Sequence, residues 1–113
     1  MSDCLFCKIV AGEIPATVVY QDEEMLVFED INPKAPVHLL LIPKQHMATL
    51  NDAGPEQSEV LGRLALKAAE LADEKGVAQD GYRVQINCNP DGGQVVFHLH
   101  MHLLGGRKLE CLT

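Results

Sequence analysis

The spacing of apolar residues along the chain predicts five short strands and two helices. Residues 4–11 form an apolar stretch that Gly12 closes, which is typical of a short helix. From Gly54-Pro55 to Gly76, apolar side chains recur every three or four positions, which predicts one long helix with a single buried face. The predicted strands are 17–21, 25–29, 37–42, 82–88 and 94–104. Their hairpin-like links favour an α+β fold built on an antiparallel sheet.

The last predicted strand carries the most informative pattern. Because alternate side chains of a strand point to the same face, one face is predicted to be apolar and covered by the long helix, and the other to carry histidines. The apolar face comprises Val95, Phe97, Leu99, Met101 and Leu103, and the polar face comprises Gln94, His98, His100 and His102. A solvated strand face normally carries Thr, Lys, Glu or Ser, so three histidines in register indicate a functional surface.

Composition and charge exclude several classes of protein. The chain has 113 residues, of which 47% are hydrophobic and 22% charged, so we expect one globular domain over residues 1–113. No apolar run approaches the roughly 18–20 residues of a membrane helix, and the N-terminus lacks the pattern of a signal peptide. A cytoplasmic protein without a membrane partner is therefore expected. The net charge of −7 argues against a nucleic-acid partner, although a small phosphorylated ligand remains compatible with it.

Three neighbouring histidines suggest either a metal site or a nucleophile. On a straight strand the Cα atoms of His98 and His102 would lie about 13 Å apart, whereas a ligating histidine holds zinc about 6 Å from its own Cα. One ion shared by all three is disfavoured, although two of them could share one. The other interpretation is a nucleophilic imidazole whose neighbours set its tautomer. The preceding Gly92-Gly93 turn can offer main-chain N–H groups to a phosphate, which directs the hypothesis to phosphoryl or nucleotidyl transfer.

The sequence His98-Leu99-His100-Met101-His102-Leu103-Leu104 resembles the His-φ-His-φ-His-φ-φ signature of the histidine-triad (HIT) superfamily, in which φ is apolar. Further segments resemble its histidine-triad nucleotide-binding (Hint-like) branch, namely 14–16, 28–36, 41–46, 91–94 and 102–107. The resemblance implies a HIT-like five-stranded antiparallel sheet with one long and one short helix. It also implies a homodimer in which two protomers form a ten-stranded sheet.

The same resemblance implies a purine nucleoside phosphoramidase, a hydrolase that cleaves the P–N bond of AMP-amine conjugates through a covalent nucleotidyl-histidine. By motif position His100 is the nucleophile, and His102 contacts the phosphate and supports the intermediate. The other implied nucleotide-binding residues are Asp30 for the ribose hydroxyls, Ile31 beside the base and sugar, and Asn87, Gly93, Gln94 and Val95 near the phosphate. Relatives often carry serine where this chain has Val95, so a potential donor to the scissile group is replaced. No organic cofactor is implied.

Cys4 and Cys7 form a Cys-x-x-Cys pair, which by spacing is half of a zinc site. From the residues alone they could equally be two small apolar residues on a helix, whereas a redox dithiol lacks a thioredoxin-like context. A subset of HIT proteins that this chain resembles pairs these cysteines with two histidines. That resemblance implies a structural zinc held by Cys4, Cys7, His46 and His98.

Three further residues are expected to have structural roles. His38 lies inside an apolar strand and is interpreted as a histidine with a buried hydrogen bond. Cys88 and Cys111 are isolated in the sequence and are expected to be a core residue and a tail residue.

Three alternatives to a phosphoramidase remain open at this stage. A neighbouring branch of the superfamily hydrolyses dinucleoside polyphosphates. A nucleotide-binding regulatory module with little turnover would be consistent with Val95. A hydrolase that uses the Cys/His cluster as its catalytic metal site would lose activity as soon as a chelator is added, whereas a structural zinc predicts a slow loss that follows unfolding.

Overall fold

The computed structural model describes residues 3–110 and confirms the α+β fold with a five-stranded antiparallel sheet. The sheet has the order β1-β2-β3-β5-β4, and every neighbouring pair is antiparallel. The two α-helices are α1, Leu5–Val10, and α2, Ser58–Glu74. The strands are β1, Val18–Gln21; β2, Met25–Glu29; β3, Val37–Pro43; β4, Tyr82–Ile86; and β5, Met101–Gly105. Within residues 3–110, none of the helices is long and apolar enough to cross a membrane. Cys111 lies outside the described residues.

Helix α2 covers one face of the sheet and forms the main core with it. Its buried residues are Leu64, Ala68, Leu71 and Ala72, which follow the predicted helical spacing. They pack against alternate residues of the central strands, including Val27, Leu39, Leu41 and Leu103. Burying a side chain of this size stabilises the fold by roughly 1.5–3 kcal/mol, so this face holds the sheet together.

The opposite face of the sheet carries helix α1 and a smaller apolar cluster. Phe6 of α1 is buried and meets Phe28 of β2 edge to face, with ring centroids 5.4 Å apart. Leu26, Leu40 and Ile42 complete the cluster. A helix of six residues is too short to be stable alone, so the position of α1 depends on Phe6 and on the side chains that flank the helix.

The strand predicted over residues 94–104 is wrong in its first seven residues, because β5 begins at Met101. The buried side chain of Gln94 donates to the main-chain oxygen of Ala48 at 2.8 Å, and the Leu99 N–H donates to Met47 O at 2.7 Å. Two hydrogen bonds of the segment 94–100 are therefore made with residues 47–48 instead of with a neighbouring strand.

This difference changes the predicted apolar face. Only Leu99, Met101 and Leu103 belong to the core under α2. Val95 is 85% exposed, and Phe97 is exposed as well. Strict alternation thus holds only where the chain is a strand, and the histidines before Met101 are positioned by an irregular segment.

Candidate functional site

A groove of about 520 Å³ lies on the sheet face opposite α2. Its floor includes His38 of β3 and His102 of β5, and Phe6 of α1 forms one wall. Six of the predicted nucleotide-site residues line it, namely Asp30, Asn87, Gly93, Val95, His100 and His102. Ile31 and Gln94 do not: Ile31 is 99% exposed, and Gln94 is buried inside the adjoining loop.

The ring of His100 is held in one tautomer. Its Nδ1 lies 2.7 Å from the main-chain oxygen of His98, and a carbonyl oxygen can only accept, so Nδ1 carries the proton. The lone pair is then on Nε2. The ring is buried and meets Phe6 edge-on, with centroids 5.1 Å apart. Burial lowers the pKa of His100, which keeps the imidazole neutral and nucleophilic.

A second chain of hydrogen bonds orients His102. The main-chain N–H of Lys34 donates to His38 Nδ1 at 3.0 Å, so the proton of the neutral His38 ring is on Nε2. That nitrogen is 2.9 Å from His102 Nδ1, which accepts, and His102 therefore presents Nε2–H. Burial, followed by the neighbouring His100 and His38, lowers the pKa of His102 to about 4.

His38 is thus the buried, hydrogen-bonded histidine that its strand predicted, but its partner was missed by the sequence reasoning. Strand β3 pairs with β5 in a register that sets His38 opposite Leu104 and Leu40 opposite His102. The available signal was the requirement that an imidazole in an apolar strand must find a polar partner.

Asp30 follows β2 and lies beside the His38–His102 pair. Its Oδ1 accepts from the Asn32 N–H at 2.7 Å, and its Oδ2 lies 3.4 Å from His38 Nε2. Asp30, His38 and His102 have potential ligand atoms within 4.8 Å of one another. Because the Lys34 N–H occupies Nδ1 of His38, Nε2 is protonated and donates to His102 Nδ1, so His38 has no lone pair for a metal.

The loop between β4 and β5 forms the far wall of the groove. Asn87 Nδ2 donates to the main-chain oxygen of Gly92 at 2.7 Å. Gly93 has φ 88°, a left-handed conformation that favours glycine and leaves the main chain open to the groove. Gln94 accepts from the Asn89 N–H at 2.8 Å, so its side chain supports this loop from within.

The four predicted metal ligands come together beside α1. The ligand atoms of Cys4, Cys7, His46 and His98 all lie within 4.8 Å of one another. The His98 Nδ1 is 3.4 Å from Cys4 Sγ, 3.5 Å from Cys7 Sγ and 3.2 Å from His46 Nδ1. Cys7 Sγ is 3.3 Å from His46 Nδ1. A tetrahedral zinc with two sulfur and two nitrogen ligands requires separations of about 3.3–3.8 Å.

The tautomer of His98 also suits a metal. Its Nε2 lies 2.8 Å from the main-chain oxygen of Pro43, so Nε2 carries the proton and Nδ1 directs a lone pair at the cluster. Four electron-rich atoms converge there, and a divalent cation would offset their mutual repulsion. The donor set of two sulfurs and two imidazole nitrogens fits zinc.

The HIT domain model matches residues 11–109. The chain is 49% identical over 107 residues to a purine nucleoside phosphoramidase from Escherichia coli (strain K12), with 95% of this chain and 90% of that protein covered. A HIT family hydrolase from Legionella pneumophila Philadelphia 1 superposes with a TM-score of 0.94 at 52% identity, covering 96% of this chain and 97% of the other.

A zinc-bound histidine triad family protein from Mycobacterium smegmatis superposes with a TM-score of 0.82 at 35% identity, covering 98% of this chain and 80% of the other. These similarities confirm the resemblance that the histidine motif indicated. They extend over nearly the whole length of the chain and agree with its fold. The chain therefore belongs to the HIT family and is a HIT-family hydrolase.

Proposed function

We propose that this protein is a purine nucleoside phosphoramidase that cleaves the P–N bond of AMP-amine conjugates through a nucleotidyl-histidine. The observation that carries the proposal is the tautomer of His100, in which Nδ1–H donates to the His98 carbonyl oxygen at 2.7 Å. Its remaining nitrogen, Nε2, has a lone pair in a groove that also contains His102 and Asn87. The Escherichia coli relative, a phosphoramidase at 49% identity, supports the substrate class.

In the first step, Nε2 of His100 attacks phosphorus as the P–N bond to the amine breaks. The amine leaves with that electron pair and takes up one proton from the solvent. Water then attacks phosphorus and the bond to His100 breaks. The nucleoside monophosphate keeps the hydroxyl group of that water, and the second proton of the water returns to the solvent. The net reaction consumes one water. His102 donates its Nε2–H to the phosphate, where negative charge develops.

The remaining site residues are proposed to hold the nucleotide. Asp30 accepts from the ribose hydroxyls, and Ile31 packs beside the base and sugar. The phosphate lies along the loop between β4 and β5, near Asn87 and the segment 93–95. The whole chain acts as one HIT domain, and we expect a cytoplasmic homodimer without a nucleic-acid or membrane partner.

We also propose that Cys4, Cys7, His46 and His98 hold a structural zinc. Its support is the donor set, the separations of 3.2–3.5 Å among the paired ligand atoms, and the protonated Nε2 of His98. The ion would attach α1 to the segment that precedes β5. The reaction needs no further cofactor in this proposal.

The proposal is tested by intact-mass spectrometry after brief mixing with an adenosine phosphoramidate, with released AMP quantified. The wild-type protein should show an added adenylyl mass and produce AMP. His100→Ala should lose the adduct and at least about 10³-fold of the rate, because the nucleophile is gone.

His46→Ala and a diadenosine polyphosphate serve as comparisons. His46→Ala retains the nucleophile, so it should still form the adduct after the metal-binding cluster is altered. If the wild-type protein binds AMP but forms neither product nor adduct, the phosphoramidase assignment is wrong and a binding module takes its place. Faster turnover of the polyphosphate would instead assign the chain to that class of hydrolase.

A further inference from the structure

Asp30 contacts a part of the site that its proposed role as a ribose ligand does not explain. The His38 Nε2–H donates to His102 Nδ1 at 2.9 Å, and Asp30 Oδ2 lies 3.4 Å from the same nitrogen. The main-chain N–H of Lys34 holds the other side of the His38 ring at 3.0 Å. A small rotation of the imidazole toward Asp30 would weaken the hydrogen bond to His102, because one N–H cannot serve both acceptors equally well.

The contact between Asp30 and His38 is sheltered from water. The side chain of His38 is 4% exposed and that of Asp30 is 18% exposed, so their interaction is less screened than a surface ion pair. Lys34 is the other charged group facing His38, and His102 faces both His38 and His100. Burial lowers the pKa of His38, while the charge of Asp30 opposes that shift and Lys34 adds to it.

We propose that Asp30 is a positioning residue for the His38–His102 pair as well as a ribose ligand, so that ribose binding acts on the chemical step. This inference rests on the proposed function. A ribose hydroxyl that donates to Oδ2 competes with His38 for that oxygen, and the His38 N–H is then directed at His102 Nδ1 alone. The firmer bond at Nδ1 holds the His102 ring with its Nε2–H toward the phosphate. Binding of the sugar thereby stabilises the transition state and raises kcat.

A kinetic comparison separates this role from ribose binding. Adenosine phosphoramidate and its 2′,3′-dideoxy analogue are compared with wild type, Asp30→Asn and Glu29→Gln, in which an exposed neighbour on β2 loses the same charge. If the Asp30 carboxylate only binds ribose, it has no part in the turnover of the dideoxy substrate. Asp30→Asn would then leave kcat for that substrate unchanged. The proposal expects kcat for that substrate to rise about tenfold in Asp30→Asn, because no carboxylate then draws the His38 N–H away from His102, and to stay constant in Glu29→Gln.

Imidazole-nitrogen NMR of the full-length, zinc-loaded protein provides a readout that is independent of turnover. In Asp30→Asn the pKa of His38 should fall below its wild-type value, because the negative charge that raised it is gone, whereas Glu29→Gln should not change it. Identical titration and tautomers of His38 and His102 in wild type and Asp30→Asn would refute the positioning role. If the wild type hydrolyses no phosphoramidate, the proposed function fails, and the NMR comparison still decides whether Asp30 positions the pair.

Discussion

At the scale of single residues, hydrogen bonds to main-chain atoms set the chemistry of this site. His100 has a lone pair on Nε2 because its Nδ1–H donates a hydrogen bond to the His98 carbonyl oxygen. His102 presents Nε2–H because His38 donates to its Nδ1, and His38 is in turn oriented by the Lys34 N–H. Two imidazoles of the same motif thus have opposite roles, one with a lone pair and one with a proton. The difference arises from their surroundings and not from the side chains themselves.

Val95 stands where the resemblance to the HIT superfamily leads us to expect a serine. It lines the groove, and its side chain cannot donate a hydrogen bond. We expect Val95→Ser to raise kcat for an adenosine phosphoramidate by roughly tenfold, because the added hydroxyl can stabilise charge on the departing group. Steady-state kinetics over a range of substrate concentrations would measure the change.

The same substitution at another exposed valine is the control. Val18→Ser lies on β1, away from the groove, and should leave kcat unchanged. The 85% exposure of Val95 means that Val95→Ser removes little buried surface, so its thermal midpoint should stay within a few degrees of the wild-type value. An unchanged kcat in Val95→Ser would show that a donor at this position does not act in the transition state.

At the scale of elements, helix α1 depends on side chains at its N-terminal end. Cys4 caps the helix by accepting from the Cys7 N–H at 3.3 Å, and both cysteines face His98. Phe6, between them, contacts His100 and lines the groove. The cluster thus connects α1 to the segment that carries His100, the proposed nucleophile.

Removal of the proposed zinc should therefore loosen α1 before the sheet. After prolonged chelation we expect amide hydrogen exchange of Leu5–Val10 to become at least about tenfold faster, while that of β3 stays slow. The thermal midpoint should fall by at least about 5 °C, because metal binding contributes to folding. Exchange measured by mass spectrometry and a thermal melt would give both values.

Cys4→Ser and Cys88→Ser form a matched pair for this experiment. The Cys4→Ser protein should reproduce the effect of chelation and retain less than one zinc per chain. Cys88 lies outside the cluster, so the Cys88→Ser protein should retain the metal. Abrupt loss of activity on chelation, with α1 still protected, would contradict a structural role and indicate a catalytic metal.

At the scale of the whole molecule, the two edges of the sheet differ. Strand β1 has a register irregularity between Val18 and Tyr20, which makes that edge a poor template for a further strand. Strand β4 pairs with β5 in regular register from Tyr82 to Ile86, and Val84 is exposed on it. The β4 edge is therefore better suited to join two sheets into the expected ten strands.

We expect the protein to sediment as a dimer of about twice 12.4 kDa. Val84→Arg should shift it toward the monomer by placing a charge at the β4 edge, whereas Val18→Arg at the opposite edge should remain dimeric. Analytical ultracentrifugation at several concentrations would distinguish them. A monomeric wild type, or dissociation only in Val18→Arg, would refute this arrangement.

The amino-acid sequence was sufficient to predict the antiparallel sheet and the α2 core, and its resemblance to HIT proteins predicted the residues of the candidate metal-binding cluster. Apolar spacing is a local property, and it identified β2 as Met25–Glu29 and the buried face of α2. It failed for residues 94–100, since Gln94 and Leu99 bond to residues 47–48, which are distant in the sequence. The bonds that set the tautomers of His100 and His38 join residues close in sequence, but they depend on main-chain conformations that apolar spacing does not specify. The partnership of His38 with His102 joins side chains 64 positions apart, so only the tertiary packing of β3 beside β5 decides it.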